Sequence, residues 1–371
     1  MFMFSLMPPK KADKKQKPAK DGSSDQPNLI EEFVKIYRRI QRENNSTRFA
    51  PIEELISAAE ESEKAPTVLN LSGSTVDIAS LKATCEALRE SRYPVKAIRL
   101  WRCTSDGDEA VSSISLIMPS LEELQLCDIK MTKEGCSLIS SSFMTTPLSL
   151  ICLDFNKIGN EGLERLCEGL SGNTFLRSLS LRYCGIRGAE GVRLISPVLA
   201  FTNTSLARLF LAGNPLGIDG VKELLEVGLV KARKLKVLDL ANTGIVEIQV
   251  LKRTADHSNH SEETETISKT VSAVSSLQTS GATTPSGSPA RSTGNFYDSL
   301  SLLFSKNSSI ESVTLHGNML TSTTAACIVE IVKANKQIKN FTLPIESDKT
   351  IVESLAKLLS SRKGKKGKSK K

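Results

Sequence analysis

Apolar residues recur along this chain in two alternating rhythms. Leu148, Ile151 and Leu153 stand three and two apart, and Asn156 and Ile158 continue the same spacing. Then Leu163, Leu166, Cys167 and Leu170 follow at intervals of three and four. The first rhythm predicts a short strand with three inward side chains, and the second an amphipathic helix. The set returns at Leu176, Leu179, Leu181, Cys184 and Ile186, and again at Leu206, Leu209, Leu211, Asn214 and Leu216. It recurs at Leu235, Leu238, Leu240, Thr243 and Ile245, with threonine in the polar slot, and at Ile310, Val313, Leu315, Asn318 and Leu320. Looser copies begin at Pro66, Val95, Leu121 and Ile338, and Val221, Leu224 and Leu225 repeat the helical spacing. Successive starts lie 26 to 30 residues apart, except for one step of 75 from Leu235 to Ile310. That step holds one ordinary repeat and an insertion of about 47 residues.

Each slot has a physical task. Slots one, four and six point inward. The Asn or Cys in slot nine turns the chain, and its side chain can satisfy backbone groups otherwise buried unpaired. An acid–glycine pair precedes the helices at Glu134-Gly135, Glu161-Gly162, Glu190-Gly191 and Asp219-Gly220. The acid suits the first helical turn, and the glycine is expected to let helix approach strand. The template Leu-x-x-Leu-x-Leu-x-x-Asn/Cys-x-Leu at this period marks a leucine-rich repeat. The run Asn156-Lys157-Ile158-Gly159-Asn160-Glu161-Gly162-Leu163 resembles the ribonuclease-inhibitor-like class of that family. The resemblance covers roughly residues 65–345. It implies an α/β fold, a leucine-rich-repeat solenoid of about nine repeats, shaped as a curved horseshoe with parallel strands on the concave face and helices on the convex face. It is silent on the partner, because the class serves many unrelated ones.

A solenoid exposes core faces at its two ends and needs caps. Leu29, Ile30, Phe33, Ile36, Tyr37 and Ile40 share one helical stripe, and Ile52, Leu55, Ile56 and Ala59 another. They predict an N-terminal helical cap over 27–64; a partner-binding or dimerising helix is the alternative reading of 28–44. Ile351, Leu355, Leu358 and Leu359 predict a C-terminal capping helix over 346–361. The flanks, 1–26 and 362–371, read as basic disordered tails. The insertion, about 249–295, is of another kind: 18 of the 41 residues from Thr254 to Gly294 are Ser or Thr. So few apolar side chains cannot offset the entropy of ordering, and a disordered loop is expected. Within it, Thr284-Pro285 and Ser288-Pro289 have the form of proline-directed phosphorylation sites.

Composition refines the picture. The chain is 39% hydrophobic but only 5% aromatic, which suits a stack of thin, similar layers. Residues 1–20 carry a net +5 and residues 362–371 a net +7 of the chain's +8, so the stretch between them carries −4. Basic charge confined to tails predicts a nuclear-localisation signal, contact with an acidic polymer (nucleic acid, anionic membrane, the acidic tails of tubulin), or plain solvation. The tails resemble in composition those of some flagellar and axonemal proteins. A cytoplasmic chain, cytoskeletal or flagellar, is therefore expected, with the nucleus as alternative. No stretch approaches the ~18 apolar residues of a membrane span. The opening Met1–Leu6 is too short for a signal-peptide core, and Met7 reads as a start of its own. An intracellular setting would keep the eight cysteines reduced. No Cys-x-x-Cys pair occurs, and two of the three histidines, His257 and His260, fall in the insertion, so no zinc-ligand spacing is present.

No phosphate loop, catalytic triad or zinc-protease signature occurs, and no cofactor is implied. The expected function is a non-enzymatic protein–protein interaction scaffold. The Ran GTPase-activating proteins resemble this repeat class but generally carry an acidic segment after the repeats, where this chain is basic. A Ran-type activator and a soluble wrap-around inhibitor of an enzyme are the alternatives. Strand alternation sends slots three and five to the concave surface, and slots seven and eight continue it. These slots hold Arg99, Trp101 and Arg102; Glu123, Gln125 and Asp128; Asp154 and Phe155; Arg182 and Tyr183; Arg208 and Phe210. Trp101 is the only tryptophan, and exposed Trp, Tyr and Arg dominate binding hot spots. Later repeats offer Ala212, Gly213, Ala241, Thr314 and Gly317 there, which centres the predicted site on the first six repeats.

Overall fold

The computed structural model describes residues 29–44, 49–61, 66–73, 75–102, 106–203, 205–247 and 295–363. Nine strands form one parallel sheet in chain order: β1 Val68–Asn70, β2 Ala97–Trp101, β3 Glu123–Cys127, β4 Leu150–Cys152, β5 Ser178–Ser180, β6 Arg208–Phe210, β7 Val237–Asp239, β8 Ser312–Thr314 and β9 Asn340–Thr342. Helices alternate with them: α3 Ile78–Ser91, α4 Gly107–Ser115, α5 Lys133–Ser142, α6 Gly159–Leu170, α7 Gly188–Pro197, α8 Gly217–Glu223, α9 Phe296–Lys306 and α10 Ser322–Ala334. The fourth-slot residues Leu69, Ile98, Leu124, Ile151, Leu179, Leu209, Leu238, Val313 and Phe341 pair across every strand junction. The α/β leucine-rich-repeat solenoid expected from the sequence is the fold observed. The pairing of β7 with β8 shows that the 75-residue step leaves the sheet unbroken. In the longer repeats from Leu176 and Leu206, α7 and α8 open into π turns at Val198–Thr202 and Leu224–Leu229, the usual accommodation of extra residues in a helix.

Slot nine closes each turn with hydrogen bonds between repeats. Asn156 Oδ1 accepts from the N–H groups of Ile129 and Met131, and its Nδ2 donates to the carbonyls of Leu126 and Leu153. Asn214 does the same for Cys184, Ile186, Leu181 and Leu211. Asn318 does it for Thr243, Ile245, Leu240 and Leu315. A second row, at the opposite edge, joins helix ends to strand starts. Asn173, Asn203 and Asn307 each donate to a carbonyl of the preceding repeat (Phe143, Leu170, Leu229) and accept from two N–H groups of their own turn. All six asparagines are buried.

The glycines of the acid–glycine pairs serve a different contact from the one expected. They approach the preceding turn and the neighbouring helix start, not the strand. A Cβ on Gly191 would lie 2.5 Å from Asn160 Oδ1, and one on Gly135 2.6 Å from Asp108 Oδ1. Those two side chains cap the next helix from outside. Asp108 accepts from the N–H groups of Thr132 and Gly135, and Asn160 from that of Arg187.

Helices also lie over both ends of the sheet. α1, Leu29–Glu43, packs on α3 through Phe33, Ile36, Tyr37 and Ile40. Leu29 leaves the expected stripe and faces solvent, while the Phe33 ring sits 5.2 Å from that of Tyr93. α2, Ala50–Glu61, meets β1 with Ile52, Leu55, Ile56 and Ala59 buried. At the other end α11, Lys349–Lys363, packs Leu355 and Leu359 inward. This helix extends past the expected boundary at 361, and Arg362 is no tail residue. Its guanidinium donates to the carbonyls of Val332, Asn335 and Ile338 at 2.6, 3.1 and 2.6 Å. Val332 lies in the last turn of α10, where carbonyls lack helical partners, Asn335 and Ile338 follow it on the way into β9, and the forked donor reaches all three at once. Replacing Arg362 by alanine should cost about 2 kcal/mol locally. Hydrogen exchange should quicken in α10 and α11 and stay unchanged before β7. Both basic tails (Arg362 and Lys363 apart), nearly all of the insertion, Thr284 and Ser288 lie outside the described residues. Among the described residues no helix is long and apolar enough to cross a membrane.

Candidate partner-binding surface

Slots seven and eight stand at the rim where the strands end. Slot eight has one backbone conformation in the first eight repeats. Gly73, Arg102, Asp128, Phe155, Tyr183, Gly213, Asn242 and Gly317 all have positive φ, between 51° and 84°. That left-handed region is open to glycine and tolerated by Asn and Asp, but it costs a larger L-residue roughly 1–2 kcal/mol. Arg102, Phe155 and Tyr183 occupy it nonetheless.

Three clusters result. In the first, Arg99 Nε donates to Glu123 Oε1 at 2.8 Å, and Gln125 donates to the same oxygen at 2.6 Å. Arg102 pairs with Asp128, its guanidinium 5.9 Å from the Trp101 ring centre. In the second, Phe155 and Tyr183 stack nearly parallel, 5.0 Å apart. The Tyr183 ring lies over Gly213, where a Cβ would come within 2.3 Å of it, and its hydroxyl accepts from Asn242 Nδ2. In the third, Arg182 bridges two repeats. Its Nε and Nη2 donate to Asp239 Oδ2 at 3.0 and 2.9 Å, its Nη1 is 3.6 Å from Asp154, and it lies 4.3 Å over the Phe210 ring. Asp154 also accepts from Ser180 Oγ and the Arg182 N–H.

The candidate residues therefore separate. Trp101, Phe155 and Tyr183 are 53%, 44% and 45% exposed. Arg208 is exposed and has no anionic partner among the described residues. Asp154 was expected on the open surface but is only 7% exposed. Ser180 and Arg182 cover it, so it positions Arg182 and offers no carboxylate to a partner. Arg182 and Phe210 are likewise engaged with each other. Arg102 and Asp128 form an ion pair on the rim, and Arg99 and Glu123 form one on the concave face beside it. Trp101 stands two strands from β4, roughly 10 Å away, so the aromatic side chains make two patches.

Reasoning from alternation missed three features: the left-handed slot, the Asp239 anchor and a thiol pair. Gly213 and Gly317 in the slot of Phe155 carried the signal for the first. Cys127 and Cys152 Sγ lie 3.4 Å apart on neighbouring strands. The hydrogen bond to Cys127, with burial, pushes the Cys152 thiol well up from its ordinary value. Burial pushes Cys85, Cys136 and Cys167 up to about 12. Such thiols stay protonated near neutrality and are poor nucleophiles. Among the described residues no three His, Cys, Asp or Glu side chains are grouped to hold a metal ion.

Comparison with known proteins agrees with this geometry. A family model described as Leucine Rich repeat matches residues 153–167 and 172–196. Mouse ribonuclease inhibitor is 29% identical over 191 residues, 43% of this chain and 41% of that protein. Pig ribonuclease inhibitor is 27% identical over 42% of this chain and 41% of its own length. Mouse NACHT, LRR and PYD domains-containing protein 5 is 29% identical over 42% of this chain but 16% of its own. The chain thus spans less than half the length of these curated relatives. Among solved structures, the Rad7 and Elc1 complex in yeast aligns with 69% of this chain and 65% of that one at 12% identity and a TM-score of 0.35, a likeness too loose to argue from. The chain is thus a leucine-rich-repeat solenoid in fold, and it is similar over part of its length to proteins of the ribonuclease-inhibitor-like class.

Proposed function

We propose that this chain is a non-enzymatic scaffold that binds a protein partner on the rim and concave face of repeats two to six, with Trp101, Phe155 and Tyr183 as anchors. One observation carries the reading. Phe155 and Tyr183 are bulky, half exposed and held in left-handed backbone, where the three following repeats place glycine or asparagine. Strain of this kind persists where function uses the side chain, and large rigid rings are the side chains that anchor interfaces.

Substitution separates this role from a structural one. Phe155→Gly relieves the strained φ and forfeits the ring stack, so stability should stay within about 1 kcal/mol of the parent. Partner binding should still fall. The triple variant Trp101→Ala, Phe155→Ala, Tyr183→Ala should bind at least roughly tenfold more weakly, about 1.4 kcal/mol, while remaining folded. The measurement begins with proteins retained by the parent chain and lost by the triple variant, then compares Kd values with the purified partner. A folded triple variant with unchanged Kd would place the interface elsewhere.

A further inference from the structure

The edge opposite that rim, where helices end and strands begin, has a chemistry of its own. We propose that it is a second docking surface, for an extended acidic–hydrophobic segment of a partner protein. A groove of about 260 Å³ opens there between the repeats of β6 and β7, lined by Leu199, Phe201, Leu206, Lys231, Arg233 and Lys234. Phe201 is 63% exposed and forms its wall, with Lys231 Nζ 4.3 Å from the ring centre. Arg233 and Lys234 have no anionic partner among the described residues.

Cations at a helix end have an ordinary explanation, since the C-terminal carbonyls carry partial negative charge. That attraction falls off within the last turn. Three exposed cations within four residues, with no carboxylate among the described residues answering them, repel each other in a stretch whose overall charge is −4. A second groove repeats the pattern on the same edge near β2. Leu88, Val95, Leu116 and Ile117 give it an apolar floor, and Arg89 and Arg92, again without anionic partners among the described residues, stand at its margin. Arg92 is itself left-handed, with φ 54°. Between the two grooves the same connections expose Met144 and Phe175. From β2 to β7 is five strand spacings, roughly 24 Å, the reach of about seven extended residues. Apolar side chains would enter the grooves, and the carboxylates between them would meet the cations. A membrane surface would also answer basic and aromatic residues, but recessed grooves fit inserted side chains better than a plane.

The test uses the full chain and a short fluorescein-labelled peptide of alternating glutamate and leucine, read by anisotropy in salt near 0.15 M, where the Debye length is about 8 Å. The parent should bind. The variant Lys231→Glu, Arg233→Glu, Lys234→Glu should bind at least tenfold more weakly, and the matching glutamine variant should fall between. The rim variant Trp101→Ala, Phe155→Ala, Tyr183→Ala should bind as the parent does, which separates this surface from the first one. Thermal unfolding of the charge variants should match the parent, because the altered side chains are exposed. Equal affinity of the parent and the glutamate variant would overturn the proposal, since the lysine-rich tails would then be the binder. Binding to phosphatidylserine vesicles that depends on these three residues, with no peptide binding, would overturn it in favour of a lipid surface.

Discussion

Alanine at position 214 should break the array in its middle. Asn214 makes four buried bonds to backbone groups of two repeats, and none can be replaced by water, since the side chain is fully enclosed. Removing it strands the N–H groups of Cys184 and Ile186 and the carbonyls of Leu181 and Leu211. Each unsatisfied group costs about 1–3 kcal/mol, so a loss of about 4 kcal/mol or more is expected. A repeat array passes stability between neighbours, so urea unfolding should split or broaden rather than merely shift. Asn242→Ala, in the exposed left-handed slot, is the control and should cost much less. A loss below about 1 kcal/mol for Asn214→Ala would mean that the turn satisfies its own backbone in another way.

Gly169→Ala is expected to be nearly as damaging, by steric means. A Cβ there would stand 2.3 Å from the Ser140 carbonyl oxygen and 2.6 Å from Phe143 Cδ2. The first of these is backbone and cannot rotate away. Relief requires α6 to move off α5, and both helices are tied to paired strands on their far side. Overpacking of this kind costs about 1–3 kcal/mol and sometimes more. Gly172→Ala is the contrasting case. Its Cβ would meet nothing, but its φ of 80° still strains any side chain, so it should lose only about 1 kcal/mol. Equal effects at the two positions, by thermal or urea unfolding, would show that the helices yield easily.

The array was legible in the sequence because its signals are local and repeated. The starts at Pro66, Val95, Leu121 and Ile338 are poor matches individually, yet their fourth slots pair in line with the strong copies. Slot nine was legible for the same reason. The second asparagine row was not, although Asn173, Asn203 and Asn307 stand three residues before their repeat starts. A short polar run before a strand reads as an ordinary turn, and only the fold shows the carbonyl it reaches. At the candidate site, the exposure of Trp101, Phe155 and Tyr183 followed from continuing the concave surface into slots seven and eight, not from strand alternation itself. The capture of Arg182 did not, because Asp239 lies 57 residues away in sequence and comes within reach only once β6 and β7 stack beside β5. Arg362 was lost to the tail because its composition matches the lysines after it, while its role depends on carbonyls at the end of another helix.

The helices at the two ends of the sheet bear on how molecules meet one another. Every internal junction joins the trailing face of one repeat to the leading face of the next, so an uncovered first and last repeat would present complementary halves of the same joint. Molecules bearing them could add head to tail, and a translation without closure generates an open fibre, not a counted assembly. α1 and α2 at β1, with α11 beyond β9, place amphipathic helices where that joint would form. The polar sides of these helices have no counterpart in the repeat. Helices so placed are expected to block head-to-tail growth of a one-dimensional polymer whose monomer unit is the repeat.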